Sequence, residues 1–178
     1  MTSHNRPLTP GERALVRDMF GDAIDCAPVR LRRRKWFPLQ PRATVMAPCG
    51  HIHFHPKGPH WSEDFAAAPL GAQGLFIHEM VHVWQAQTRG RLYLPLMRHP
   101  FCRYDYTLVP GRPFERYGLE QQAEIVRHVF LAERGYPHGG ATDPAILPFP
   151  VVPAKAGISG EIGADSALTE TRPQPPPS

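Results

Sequence analysis

The residues best placed to do chemistry in this 178-residue chain are His78, Glu79 and His82, in the run His78-Glu79-Met80-Val81-His82. Residues four apart on a helix lie one above the other on the same face. His78 and His82 would therefore offer two imidazoles, about one turn apart, to a single tetrahedral metal, and zinc suits such donors. Glu79 leans toward the same side. In this pattern it acts as general base rather than ligand, taking a proton from a zinc-bound water whose pKa the metal lowers to about 7. The water then attacks a carbonyl carbon. The competing reading is an ordinary core helix whose polar residues reach its rim. Two histidines and a glutamate are costly in an apolar helix unless paired or coordinated, which favours the metal.

Such a motif needs a rigid helix to hold it. From Leu70 to about Thr88 the chain has no proline, and Gly90 supplies a stop. Leu75, Phe76, Ile77, Met80, Val81, Val83 and Trp84 leave little polar surface, so this helix is expected in the middle of its domain. A catalytic zinc also needs a third protein ligand and one position kept for water. A second helix, predicted over residues 117–134, carries Glu120 and Glu124 on one face. Two arrangements stay open on the residues alone. The acids reach the metal, or Glu120, Glu124 and Arg127 form a salt-bridged solvent face with Glu124 paired to His128.

Other elements frame these two. Thr9 can cap a helix with Pro10 at its first position and Glu12 closing a capping box; Gly21 ends it. Residues 29–37 and 43–47 are expected to be extended. His51-Ile52-His53-Phe54-His55 alternates strictly and predicts a strand with Ile52 and Phe54 inward. Its three histidines would share a face, as a second metal site or as a polar face near the cleft. That strand is also a candidate to line the cleft and pair with extended substrate. Hydrolysis needs a donor for the developing oxyanion. Tyr104, Tyr106 and His128 are candidates, with Tyr106 preferred because it lies between the two metal-bearing helices.

Composition narrows the class. The net charge of +4 is concentrated in Arg30, Arg32, Arg33, Arg34 and Lys35. This run reads first as a solvated strand face or loop; contact with an acidic partner or nucleic acid is the less favoured alternative. Three cysteines, Cys26, Cys49 and Cys102, without C-x-x-C spacing argue against a disulfide scaffold or a cysteine zinc site. Reduced, buried thiols are expected. No apolar signal region follows the N-terminus and no apolar run would cross a bilayer, so a cytoplasmic protein with no membrane partner is the expectation. Prolines crowd the end of the chain. The expected organisation is a domain over 1–140 and a Pro-rich, disordered tail over 141–178.

The pairing of His78-Glu79-Met80-Val81-His82 with Glu120-Gln121-Gln122-Ala123-Glu124 resembles the gluzincin arrangement. That resemblance implies Glu120 as third zinc ligand and Glu124 as the acid orienting a zinc-bound histidine, where aspartate is commoner. The longer run through Val83-Trp84-Gln85, with Tyr104-Asp105-Tyr106, is similar to small bacterial Vgr-related zincin-like proteins. The similarity spans roughly residues 43–134. Those proteins are associated with type VI secretion spikes and related injection systems. The resulting expectation is an α+β zincin-like domain: a short, mostly antiparallel sheet packed on the buried helix, with the Glu120 helix crossing its end. Its expected function is zinc-dependent hydrolysis of a peptide bond in a peptide or protein substrate. The alternative is a non-catalytic zincin-fold module within a secretion apparatus.

Overall fold

Thr9 sets the entry of the chain. In the computed structural model, which describes residues 5–97, 103–137, 140–141 and 143–151, a short strand β1 (Asn5–Pro7) leads into helix α1 (Pro10–Phe20). The expected capping box is present: Glu12 N–H donates to Thr9 Oγ1 at 3.0 Å, and Thr9 N–H donates to Glu12 Oε2 at 2.9 Å. Glu12 does more than cap. It is fully buried, receives Arg6 at 2.8 and 2.7 Å, and accepts Phe65 N–H at 2.9 Å. A buried carboxylate is tolerated only when it is this completely matched. The pair ties β1, α1 and the 3-10 turn Phe65–Ala67 into one corner.

Three more strands follow: β2 (Arg30–Arg32), β3 (Val45–Met46) and β4 (Ile52–Phe54). Their order is β1-β2-β4-β3. β1/β2 and β3/β4 are antiparallel and β2/β4 is parallel, which gives a mixed sheet in an α+β fold. The strands are shorter than the extended segments expected at 29–37 and 43–47. Trp36 N–H donates to Gln40 Oε1 at 2.7 Å, folding residues 36–40 into a loop instead. β1 was not expected; Pro7 is acceptable there because β1 is an edge strand.

β4 differs most from expectation. It lies between β2 and β3, so neither of its edges is free to take a substrate strand; the edge on that side is β3. His53 is not on a solvated or cleft-facing polar surface. It is 1% exposed, with the Trp36 ring edge-on at 5.2 Å. Ile52 and Phe54 are buried as expected. Leu31 pairs in register with Ile52 and shares its core-facing side.

Helix α2 (Leu70–Arg89) runs through the core. Phe54, Phe65 and Phe76 stack in succession, with centroids 5.5 and 5.2 Å apart, joining sheet, turn and α2. The connection after Gly90 holds a short helix, α3 (Tyr93–Met97), against α2. Helix α4 (Leu119–Ala132) then packs along α2, burying Ala123, Val126, Val129 and Phe130. The packed core runs past the boundary expected at 140. Phe149 is 6% exposed and rests on Phe20 and Trp84, because an aromatic set among the prolines still finds an apolar seat. The rest of the expected tail, from residue 152, lies outside the described residues, as do Cys102 and His99. Cys26 and Cys49 are free and half-buried rather than buried.

Burying His53 has a consequence for acid stability. Desolvation first, then the Arg32 guanidinium, push its pKa down to about 4, with Arg34 and His51 adding to the effect and a hydrogen bond to the Arg34 backbone opposing it. The folded state thus binds fewer protons than the unfolded chain between about pH 6.5 and 4. His53 supports folding fully above that window, and the support is lost as pH falls through it. In chelator-treated protein, urea unfolding should show an acid limb in this window that flattens in His53→Gln. An unchanged limb would assign it to other groups.

Candidate metal centre

The α2–α4 contact brings the candidate ligands together. His78 and His82 lie on the face of α2 that meets the first turn of α4, where Glu120 sits. All three are buried, at 5%, 1% and 1% exposure. Glu120 Oε2 is 3.3 Å from His78 Nε2 and 3.1 Å from His82 Nε2. One donor atom from each residue falls within 4.8 Å of the others, and this is the group among the described residues able to hold a metal ion. A tetrahedron with bonds of about 2.0–2.1 Å sets its corners roughly 3.3 Å apart. Two imidazole nitrogens and a carboxylate oxygen at these separations fit zinc, with one position left for water or substrate.

Each imidazole is oriented from behind. Glu124 Oε1 stands 2.8 Å from His78 Nδ1, the distance of a charge-assisted hydrogen bond. Nδ1 thus faces a carboxylate and Nε2 faces the cluster, the orientation in which a metal-bound imidazole would be held. Glu124 in turn faces Arg127 at 3.3 Å and His128 at 3.6 Å. The two open arrangements for Glu120 and Glu124 thus divide: Glu120 joins the histidines, while Glu124 serves both His78 and the outer ion pairs.

His82 is oriented by a residue to which the sequence reading gave no role. Gln85 Oε1 is 2.8 Å from His82 Nδ1. The direction of that bond follows from backbone groups. Tyr117 C=O can only accept, so Gln122 Nε2 donates to it at 2.8 Å. Gln122 Oε1 then accepts from Gln85 Nε2 at 3.0 Å, and Gln85 Nε2 also donates to Leu119 C=O at 3.1 Å. That leaves Gln85 Oε1 as acceptor and His82 Nδ1 as donor, so Nε2 is the nitrogen that faces Glu120 and that a shared cation would use. The available signal was spacing: Gln85 is three residues beyond His82 on the same helix face.

The electrostatics of the cluster are set by its carboxylates. Burial alone would lower the pKa of His78. Hydrogen bonds to Glu120 and Glu124, with the charge of Glu79, outweigh that and push it up to about 9. Burial likewise raises Glu124, but His78, Arg127 and His128 hold its carboxyl below the ordinary range. Glu79 is 4% exposed and its Oε2 has no hydrogen-bond partner among the described residues. It is a buried carboxylate oxygen on the residue next to His78.

The tyrosines fall differently from expectation. Tyr106 OH accepts from Ala141 N–H at 2.8 Å and sits 2.6 Å from His128 Nδ1, so it extends the chain behind Glu124. An oxyanion-donor role for Tyr106 would require leaving those partners. Tyr104 is the tyrosine whose ring stacks over His78, at 6.3 Å and 16°, and it is half-exposed. His51, His53 and His55 do not join the cluster; His55 Nδ1 instead accepts Lys57 N–H at 3.0 Å.

Two cavities flank the centre. One, of about 410 Å³, is lined by Glu120 with Arg89, Tyr93, Met97 and Tyr117. The other, of about 250 Å³, is lined by His82 with Trp36, Phe37, Met46, Leu94 and Pro95. Helix α3 contributes to both, Tyr93 and Met97 to the first and Leu94 and Pro95 to the second.

No family model matches this sequence. The chain is 40% identical, over 143 residues or 76% of its length, to the type VI secretion system spike protein VgrG2b of Pseudomonas aeruginosa, and spans 14% of that protein. Among solved structures it superposes on the effector domain of Pseudomonas aeruginosa VgrG2b with a TM-score of 0.65 and 40% identity, covering 74% of this chain and 76% of that one. At that identity and mutual coverage, on a matching α+β fold, the chain belongs to the VgrG2b effector-domain family.

Proposed function

We propose that the chain is a zinc-dependent peptidase that acts as an effector domain of a type VI secretion or related injection assembly. The similarity to a spike protein's effector domain supports the association with such an assembly. Hydrolysis is supported by the geometry of the site alone. The observation that carries it is Glu79: a buried carboxylate with an unpartnered oxygen beside a three-residue cradle. A closed structural zinc site has four protein ligands and no need of a buried base.

His78, His82 and Glu120 would hold the zinc, which when bound acidifies water and polarises a carbonyl. Glu79 would take the proton and return it to the leaving amine. Glu124 and Gln85 keep both histidines in the tautomer that presents Nε2. The two cavities would receive substrate on either side of the scissile bond. With β4 enclosed, an extended peptide would pair along the edge of β3. The second reading, a non-catalytic zincin-fold module of the secretion apparatus, is favoured by the similarity to a spike-borne domain.

Purified protein should carry about one zinc per chain, and chelation should lower its melting temperature. Glu79→Gln should keep the metal and lose turnover in a peptide-library digest. Identical digests from both proteins, with no cleavage by either, would leave the non-catalytic module as the better account. The tautomer argument is tested separately. Gln85→Met should weaken zinc binding about 10–100-fold in chelator competition. Unchanged affinity would mean that Gln85 does not orient His82.

A further inference from the structure

Between Asp25 and Glu63 the chain contains no aspartate or glutamate, yet it carries Arg30, Arg32, Arg33, Arg34, Lys35, Arg42 and Lys57. The sheet gathers part of this charge. Leu31 is in the core, so Arg30 and Arg32 stand on the opposite face of β2. In register, Arg32 pairs with His53 and His53 with Met46. A row of side chains therefore crosses from the arginines to Met46, which lines the cavity beside His82. Arg91, just ahead of α3, completes the group: it acts on Arg32 and His51 together with Arg30, and Arg34 also acts on Arg32.

This charge is unbalanced. Among the described residues, no carboxylate is among the charges that act on Arg32, His51 and His53. Arg32 Nε and His51 Nδ1 are buried and have no hydrogen-bond partner among the described residues. Arg33 is turned away, toward the Trp61 ring at 5.8 Å. Beside the array lies the apolar cavity of about 250 Å³ between Trp36 and Leu94. A dry cavity of about 150 Å³ already admits benzene, so this one has room for a leucine, phenylalanine or tryptophan side chain.

We propose that Arg30, Arg32, Arg34 and Arg91 form a subsite for an acidic segment of the peptide, and that the adjoining cavity takes a bulky apolar side chain from the same peptide. This rests on the peptidase reading for its link to cleavage. A peptide is favoured over a membrane or nucleic acid by shape. The apolar surface is a concave pocket opening on a metal ligand rather than a projecting face, and the edge of β3 lies beside it. Carboxylates spaced along an extended chain would meet Arg30 and Arg32 on one face of β2, with Arg34 and Arg91 on the adjoining loops.

Binding is measured apart from turnover. In Glu79→Gln protein, two fluorescein-labelled twelve-residue peptides are titrated, each with one central leucine, one flanked by glutamates and one by lysines. The acidic probe should bind at least tenfold tighter at low salt, and the gap should shrink with added salt. Arg34→Glu with Arg91→Glu, both at exposed positions, should remove or reverse the preference while zinc content and melting temperature hold. Arg32→Gln should reduce it and provides a second, independent variant. Replacing the leucine by glycine should weaken the acidic probe as well. Equal binding of the two probes overturns the proposal. So does tighter, arginine-dependent retention on phosphatidylglycerol vesicles or duplex DNA than on the acidic peptide. Charge-selective binding without cleavage of either probe by the unmodified protein supports the subsite and counts against the peptidase reading instead.

Discussion

The contact between α2 and α4 buries polar groups that, Glu79 Oε2 apart, are met largely from within. His78, Glu79, His82, Gln85, Glu120 and Gln122 are all buried there, on helices whose remaining inward positions are apolar. An unmatched carboxylate or imidazole in such a place costs several kcal/mol in order of magnitude. The arrangement that meets this condition is narrow. Glu120 has to reach both histidines, and the histidines have to turn one nitrogen toward it. The remaining nitrogens then need acceptors behind them, which Glu124 and Gln85 supply.

The same condition explains how α4 is placed. Its first turn is held by Gln85, which donates to the Leu119 carbonyl and to Gln122, and by Gln122, which donates to the Tyr117 carbonyl. The hydrogen bonds that orient His82 therefore also position Glu120, one residue after Leu119. Ligand orientation and helix docking are a single event. A change at Gln85 acts on the tautomer of one ligand and the location of another, so its effect should exceed that of an ordinary buried amide.

Much of the arrangement was legible in the sequence because it is local. The capping box at Thr9 and Glu12, the span of α2 and the shared face of His78 and His82 all follow from helical spacing. The shared face of Glu120 and Glu124 follows from the same spacing, and Glu120 is the one that lies beside both histidines. What spacing does not reveal is how distant segments pair. Strict alternation at His51–His55 identified a strand, but the parallel pairing of β2 with β4 makes that strand interior and buries His53. Tyr106 lies between the two helices in the chain, but its position there does not reveal that Ala141 and His128 engage its hydroxyl. Phe149 was lost among prolines because a single aromatic has no period to detect.

His78, His82, Glu120 and Glu124 each take part in the packing of α4 on α2 as well as in the proposed cation site. Replacing any of them removes chemistry and disturbs the core together. A loss of activity in such a variant is therefore ambiguous. Glu79 is different. Its Oε2 makes no hydrogen bond among the described residues, and it is buried beside His78 without serving as one of the three ligands. Changing that carboxylate to the isosteric amide alters the proton chemistry while preserving shape. At this position the proposed proton chemistry can be tested apart from folding, because among the described residues nothing hydrogen-bonds that oxygen.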